Sequence, residues 1–201
     1  MREETTTRTL YTFAELSEDA QNAALEKLHD INVDCDWYDL DYHAENLAAI
    51  GFENAKIHFS GFWSQGDGAC FDADVNVEKA LNAFLMCNHP ARNFDVAAYE
   101  KWLTLAERGA ISAHIRKVGP YNIYAHANTR DLELDCVFSQ KAWDKLGLGA
   151  CQDLLEQLRH DACQEIYSSL EKEYEYLTGR GAILGTIEAN EYEFTEDGRL
   201  A

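Results

Sequence analysis

The sequence predicts an α+β fold in one domain, residues 1–201: an antiparallel sheet of about four to five strands packed against several helices, one of them long and in the C-terminal half. Three observations carry this. The β-like runs form a block flanked by helical stripes, with no βαβα alternation to suggest a parallel sheet. The chain has 201 residues, 46% of them hydrophobic, and domains of this size bury roughly 70% of their unfolded surface. No Pro/Ser/Gly linker, repeat or low-complexity tract divides it.

The elements follow in order. Thr9 to Phe13 alternates as a short edge strand. Ser17 caps a helix with Glu18 and Asp19 in its first turn, and Ala20, Ala23, Ala24, Leu28 and Ile31 form its apolar stripe. A second helix is expected over 37–50, through Trp37, Leu40, Ala44, Leu47 and Ile50, ended by Gly51. A hairpin comes next: Lys56 to Phe59 leads in, Ala69 to Val75 leads out, and the loop holds Phe59-Ser60-Gly61-Phe62-Trp63-Ser64-Gln65-Gly66-Asp67-Gly68. Its glycines are expected to supply positive-φ turn positions. Helices follow over 78–87, broken at Asn88-His89-Pro90, and over 96–108, stopped by Gly109. Strands are expected at 111–115, 121–126 and 132–138, then a long helix over 150–177. A last strand pair is expected at 183–187 and 192–195.

Charge is the compositional outlier. Thirty-six acids against 17 bases give a net charge of −19, which disfavours DNA, RNA and anionic membranes by repulsion and favours a basic partner. Between Lys27 and Lys56 no base occurs, while Asp30, Asp34, Asp36, Asp39, Asp41, Glu45 and Glu53 supply acids. Carboxylates a few ångströms apart on a rigid surface imitate a row of phosphates and can occupy a basic nucleic-acid channel. A solvated face is the plainer explanation of the same residues. The six cysteines form no CxxC pair, the start has no apolar signal core and no apolar run reaches membrane length. A cytoplasmic protein with reduced thiols is the expectation.

Enzyme signatures are weak. Cys87-Asn88-His89 and Asp34-Cys35-Asp36 with His43 are possible metal clusters, but neither has a second ligand pair, so no metal and no cofactor is expected. The 61–68 loop is acidic and lacks the lysine of a phosphate cradle. Ser60, Ser64, Cys70 and Cys136 lie in no nucleophile motif; His58, His114 and His126 fall on expected strands, where Glu133 and Asp135 would share one face. Trp63 is either an exposed anchor or folded over the helix carrying Trp37 and Tyr38.

The loop motif, with Leu10 to Ser17 and the ending Tyr192-Glu193-Phe194-Thr195-Glu196-Asp197-Gly198, resembles a family of small acidic phage and prophage proteins. Its members open on aromatic-x-Leu-Ser-x-x-Ala, carry Ser-Gly-Phe-Trp-Ser-Gln-Gly-Asp-Gly-Ala and close on Phe-Thr-x-Asp-Gly. They are described as hypothetical proteins or as antitoxins of toxin–antitoxin stability systems. Lys79 to Asp131 shares nothing with them. The resemblance implies a non-enzymatic inhibitor in the host bacterial cytoplasm, binding a basic nucleic-acid-binding effector of the CRISPR or restriction type as an acidic DNA mimic. An antitoxin that binds a toxin directly is the alternative, and a metal-dependent enzyme using the 59–71 hairpin, with Asp67, His58 or Cys70 in the site, is a third. No direct nucleic-acid or membrane contact is expected; a homodimer is possible within this reading. The binding residues expected are Asp34, Asp36, Asp39, Asp41, Glu45, Trp63, Gln65 and Asp67.

Overall fold

The computed structural model describes residues 7–86, 95–119 and 124–201. The class is α+β, with antiparallel sheets of four strands and of two. The described residues fall into two compact units, Asp39–Ser169 and the pair of terminal segments Met1–Tyr38 with Leu170–Ala201.

In the larger unit Asp39 accepts a hydrogen bond from the Tyr42 amide and starts helix α2 (Leu40–Ala49); α1 (Glu18–Lys27) belongs to the other unit. The helix expected over 37–50 therefore begins at Leu40, because the cap fixes Asp39 in an extended conformation. Helix α2 packs on strand β2 (Phe52–Ser60), which pairs with β3 (Gly68–Val75) as the expected hairpin. Strand β3 is buried along most of its length, with Phe71 tilted against Phe52 at 5.1 Å. Helices α3 (Val77–Met86) and α4 (Val96–Glu107) pack on each other and on β4 (Ile111–Lys117). The sheet order is β2-β3-β4-β5, ending on β5 (Arg130–Cys136). In β5 Leu132 and Leu134 point inward while Asp131, Glu133 and Asp135 point out, the alternation of a half-buried strand.

Of the strand expected at 121–126, residues 121–123 lie outside the described residues, as do Cys87, His89 and the Pro90 break. Tyr124 and Ala125 are not in a strand, and Ala127–Thr129 forms a 3-10 turn. A short helix absent from the sequence expectation, α5 (Gln140–Leu146), precedes the long α6 (Leu148–Leu177). Residues 148–169 of α6 belong to this unit and bury Leu148, Cys151, Leu155, Leu158, Cys163 and Ile166. Arg159 interrupts that stripe. Only 2% exposed, it pairs with Glu156 and donates from Nη1 to the Ala127 carbonyl at 2.8 Å.

The smaller unit has its own core, in which Leu16, Ala20 and Ala24 meet Ile183, Ile187 and Phe194. Ser17 caps α1 (Glu18–Lys27) as expected, accepting from the Ala20 amide. β1 (Tyr11–Thr12) pairs with β6 (Glu193–Phe194), so the expected edge strand and closing strand are partners. Residues 183–187 are helical, within α7 (Arg180–Ala189), and not a strand. Ile183 and Ile187 stand about one helical turn apart on the face that meets Leu16, Ala20 and Phe194, and this packing overrides their β-branched preference. Asn32 ties the chain here, donating to the Leu177 carbonyl at 2.9 Å and accepting from Thr186 Oγ1 at 2.6 Å.

Gly198, the last residue of the closing motif, has φ +74°, and a Cβ there would lie 2.1 Å from the Ala20 carbonyl oxygen. Gly198→Ala is expected to destabilise the protein by about 2–4 kcal/mol, whereas Gly185→Ala, in the open on α7, should stabilise it by about 0.5–1 kcal/mol. Urea unfolding midpoints of the two variants check the opposite signs. In the larger unit Arg159→Ala should cost about 3–5 kcal/mol, since it strips the Ala127 carbonyl and Glu156 of their buried partner; the same unfolding curves measure it.

Candidate functional site

The loop between β2 and β3 is shaped by its own polar groups. Asp67 Oδ2 accepts from the backbone amides of Trp63 at 2.9 Å and Ser64 at 2.6 Å, and the Asp67 amide donates to the Ser64 carbonyl at 3.0 Å. Asp67 is thus half-buried and turned inward, holding the loop together. Of the loop glycines only Gly66 has a positive φ, +102°, with its α-carbon side against the Tyr124 ring. Gly68 serves closeness instead: a Cβ there would meet the Ala125 carbonyl at 3.1 Å. The expectation that these glycines share one turn role is corrected accordingly.

The aromatics divide by direction. Phe62 turns inward, 5.6 Å from the Tyr167 ring of α6 and stacked at 6.3 Å on Phe59. Trp63 turns outward and is 78% exposed, with Ser64 and Gln65 exposed beside it. The Trp63 indole is therefore displayed to solvent on a loop whose backbone two charge-assisted hydrogen bonds hold. Burying it against a partner removes roughly 150–250 Å² from water, on the order of 4 kcal/mol before the costs of association.

The acidic residues occupy two settings. Asp34 and Asp36 lie exposed in the turns before Trp37, in the smaller unit. Asp39, Asp41 and Glu45 are exposed on the start of α2, in the larger. Asp39 is occupied as the helix cap. Asp41 and Glu45, four residues apart on one helix face, repel each other by a few tenths of a kcal/mol. Beside them α2 and α6 border a groove of about 340 Å³ with an apolar floor of Leu47, Ile50, Leu158 and Ile166, and with Asp161 and Glu165 among its lining.

The residues of the enzyme reading fall differently. His58 Nε2 lies 3.3 Å from Asp72 Oδ2. Cys70 is fully buried, and burial pushes its thiol up, as it does Cys151 and Cys163, both to about 12. Burial of this kind disfavours the thiolate. His114 stands between Glu133 and Asp135, its two ring nitrogens 3.2 and 3.3 Å from their carboxylates, so the two acids do share a face, and it is largely solvated. Among the described residues no three His, Cys, Asp or Glu side chains converge as a metal site.

Two buried cations escaped the sequence reading. Arg159 stands on the apolar stripe of α6, and Arg130 opens β5 in phase with inward Leu132 and Leu134. A base in an apolar phase was the available signal for both.

Residues 16–179 match the family described as a domain of unknown function (DUF8835), and the chain belongs to that family. No curated protein and no solved structure matches it. No helix among the described residues is long and apolar enough to cross a membrane.

Replacing Asp67 tests how the loop is held. In Asp67→Ala the Trp63 and Ser64 amides lose their acceptor, so their hydrogen exchange should accelerate about tenfold while global stability falls by only about 1 kcal/mol. Unchanged protection of those two amides would contradict the assignment.

Proposed function

We propose that this protein is a non-enzymatic binder that blocks a basic bacterial protein by stoichiometric association. The observation that carries the reading is Trp63, 78% exposed on a loop fastened by Asp67, in a chain of net charge −19. Exposed aromatics on preorganised loops are typical interface anchors, and they bind with little ordering cost. Surface acids, among them Asp41 and Glu45, supply long-range attraction to a cationic partner. Gln65 and Ser64, beside the indole, supply polar contacts at the rim.

The preferred partner is a nucleic-acid-binding effector of bacterial defence, of the CRISPR or restriction type, whose lysines and arginines take carboxylates in place of phosphates. The phage-like motifs of the loop and the two ends support this choice. A toxin neutralised by direct binding is the second reading, supported by the same resemblance. Both act in the host cytoplasm and need no cofactor.

The expected behaviour is specific. Affinity capture from a bacterial lysate should retain a basic protein at low salt and release it at high salt, since steering is screened beyond about 8 Å at physiological ionic strength. With that protein purified, Trp63→Ala should weaken binding about thirtyfold, the ~2 kcal/mol of an anchor residue. Asp41→Asn with Glu45→Gln should lower the association rate and flatten its salt dependence. Salt-insensitive binding untouched by these changes would remove the proposal.

A further inference from the structure

One cleft carries the charge opposite to the rest of the molecule. Strands β3 and β4 pair only through Ala73, Asp74 and Val75, and beyond that point the sheet parts. The gap is a cavity of about 420 Å³ whose lining includes Lys56, His58, Ser60, Asp72, Lys117 and Arg130. Three of the chain's 17 lysines and arginines meet here, against one carboxylate, in a protein with 36 acids.

Arg130 is 5% exposed; its Nη1 donates to the Thr129 carbonyl at 3.2 Å, and its Nε lies 2.8 Å from Asp72 Oδ1. Arg130 and Asp72 are thus a close, largely buried ion pair at the inner side of the lining. Asp72 is further shared with His58. Lys117 stands directly opposite Arg130 across β4 and β5, a like-charged cross-strand pair that the single Asp72 carboxylate offsets only in part. Ser60 Oγ, on the same lining, is buried and has no hydrogen-bond partner among the described residues. Buried polar groups are rarely left so, because each unmade hydrogen bond is costly.

We propose that this cleft binds a small phosphate-bearing molecule. The charge selects it: Lys56, Lys117 and Arg130 against Asp72 leave two positive charges, and a phosphate monoester carries about −1.5 to −2 at neutral pH. A monocarboxylate would leave one charge unmatched. Arg130 and Ser60 supply donors at the buried end and the exposed lysines supply point charges. Phe59 and Tyr124, also on the lining, offer ring surface to the organic part, and the volume lies within the usual range for small-molecule sites, about 300–1,000 Å³. The site is distinct from the 61–68 loop and independent of the macromolecular partner proposed above. It was invisible as a motif because its residues span positions 56 to 130.

The test uses the full chain at fixed ionic strength, titrated with inorganic phosphate and phenyl phosphate, with acetate as the control anion, and followed by backbone amide shifts. Saturable shifts confined to residues 56–60, 72, 117 and 130 are expected, tighter for phenyl phosphate than for inorganic phosphate. Lys56→Gln with Lys117→Gln should weaken binding at least about tenfold, and Lys141→Gln on α5 should not. Ser60→Ala should weaken it several-fold while raising the melting temperature of the free protein, an outcome that separates ligand binding from a purely structural hydroxyl. Unsaturable shifts, an equal response to acetate, or affinity unchanged in the double lysine variant would overturn the proposal.

Discussion

The larger unit depends on a buried guanidinium. Arg159 of α6 donates to the carbonyl of Ala127, the first residue of the short turn that leads into β5. A charge taken out of water must be paired, and Glu156 one turn earlier does so while remaining partly in solvent. The turn fixed in this way does several jobs. Thr129 Oγ1 donates to the His126 carbonyl at 2.7 Å and lies 3.7 Å from Cys70 Sγ, so the turn rests on β3. Ala125 and His126 close against Gly68 at the base of the hairpin, and Arg130 is delivered to Asp72. The base of the hairpin and the basic cleft are thus tied to α6 through this turn, beside the Phe62–Tyr167 ring contact.

That rigidity gives the surface its meaning. A chain with twice as many acids as bases spends stability on self-repulsion, and the acids on α2 are not relieved by neighbouring lysines on that helix. The loop, in contrast, is locally well satisfied: Asp67 turns its charge onto backbone amides and leaves Trp63 outside. In the proposed binder, diffuse negative charge would favour encounter and the exposed indole retention, and the proposed ligand cleft would be a separate feature of the same sheet.

Much of the fold was legible because period-two and period-3.6 patterns are direct consequences of burial. The hairpin, β5, α1 and α6 all follow from them. The failures have particular causes. Residues 183–187 look like a strand by residue type, yet their core partners Leu16, Ala20 and Phe194 lie far away in sequence and select the helix. Residue 37 has the apolar phase of α2, but the Asp39 cap decides where that helix begins. The seven residues of α5 are too few to show a period. At the site, the acids were legible as surface candidates, whereas the sequence allowed Trp63 to be either exposed or folded over the helix carrying Trp37 and Tyr38. Asp67 was read as a contact residue because its sequence position at a loop tip says nothing about the two amides it turns toward. The cleft was unreadable for a different reason, since only strand register brings Lys117 opposite Arg130.

Stoichiometry separates the proposed block from catalysis. A basic protein captured at low salt, loaded with a fluorescently labelled cognate nucleic acid, is titrated with this protein while anisotropy is followed. The account predicts displacement that is complete near one equivalent, reversed by excess nucleic acid, and progressively weaker as salt is raised. Release by far less than one equivalent, growing with time and not reversible, would mean that the protein acts on its partner as a catalyst and would contradict the account.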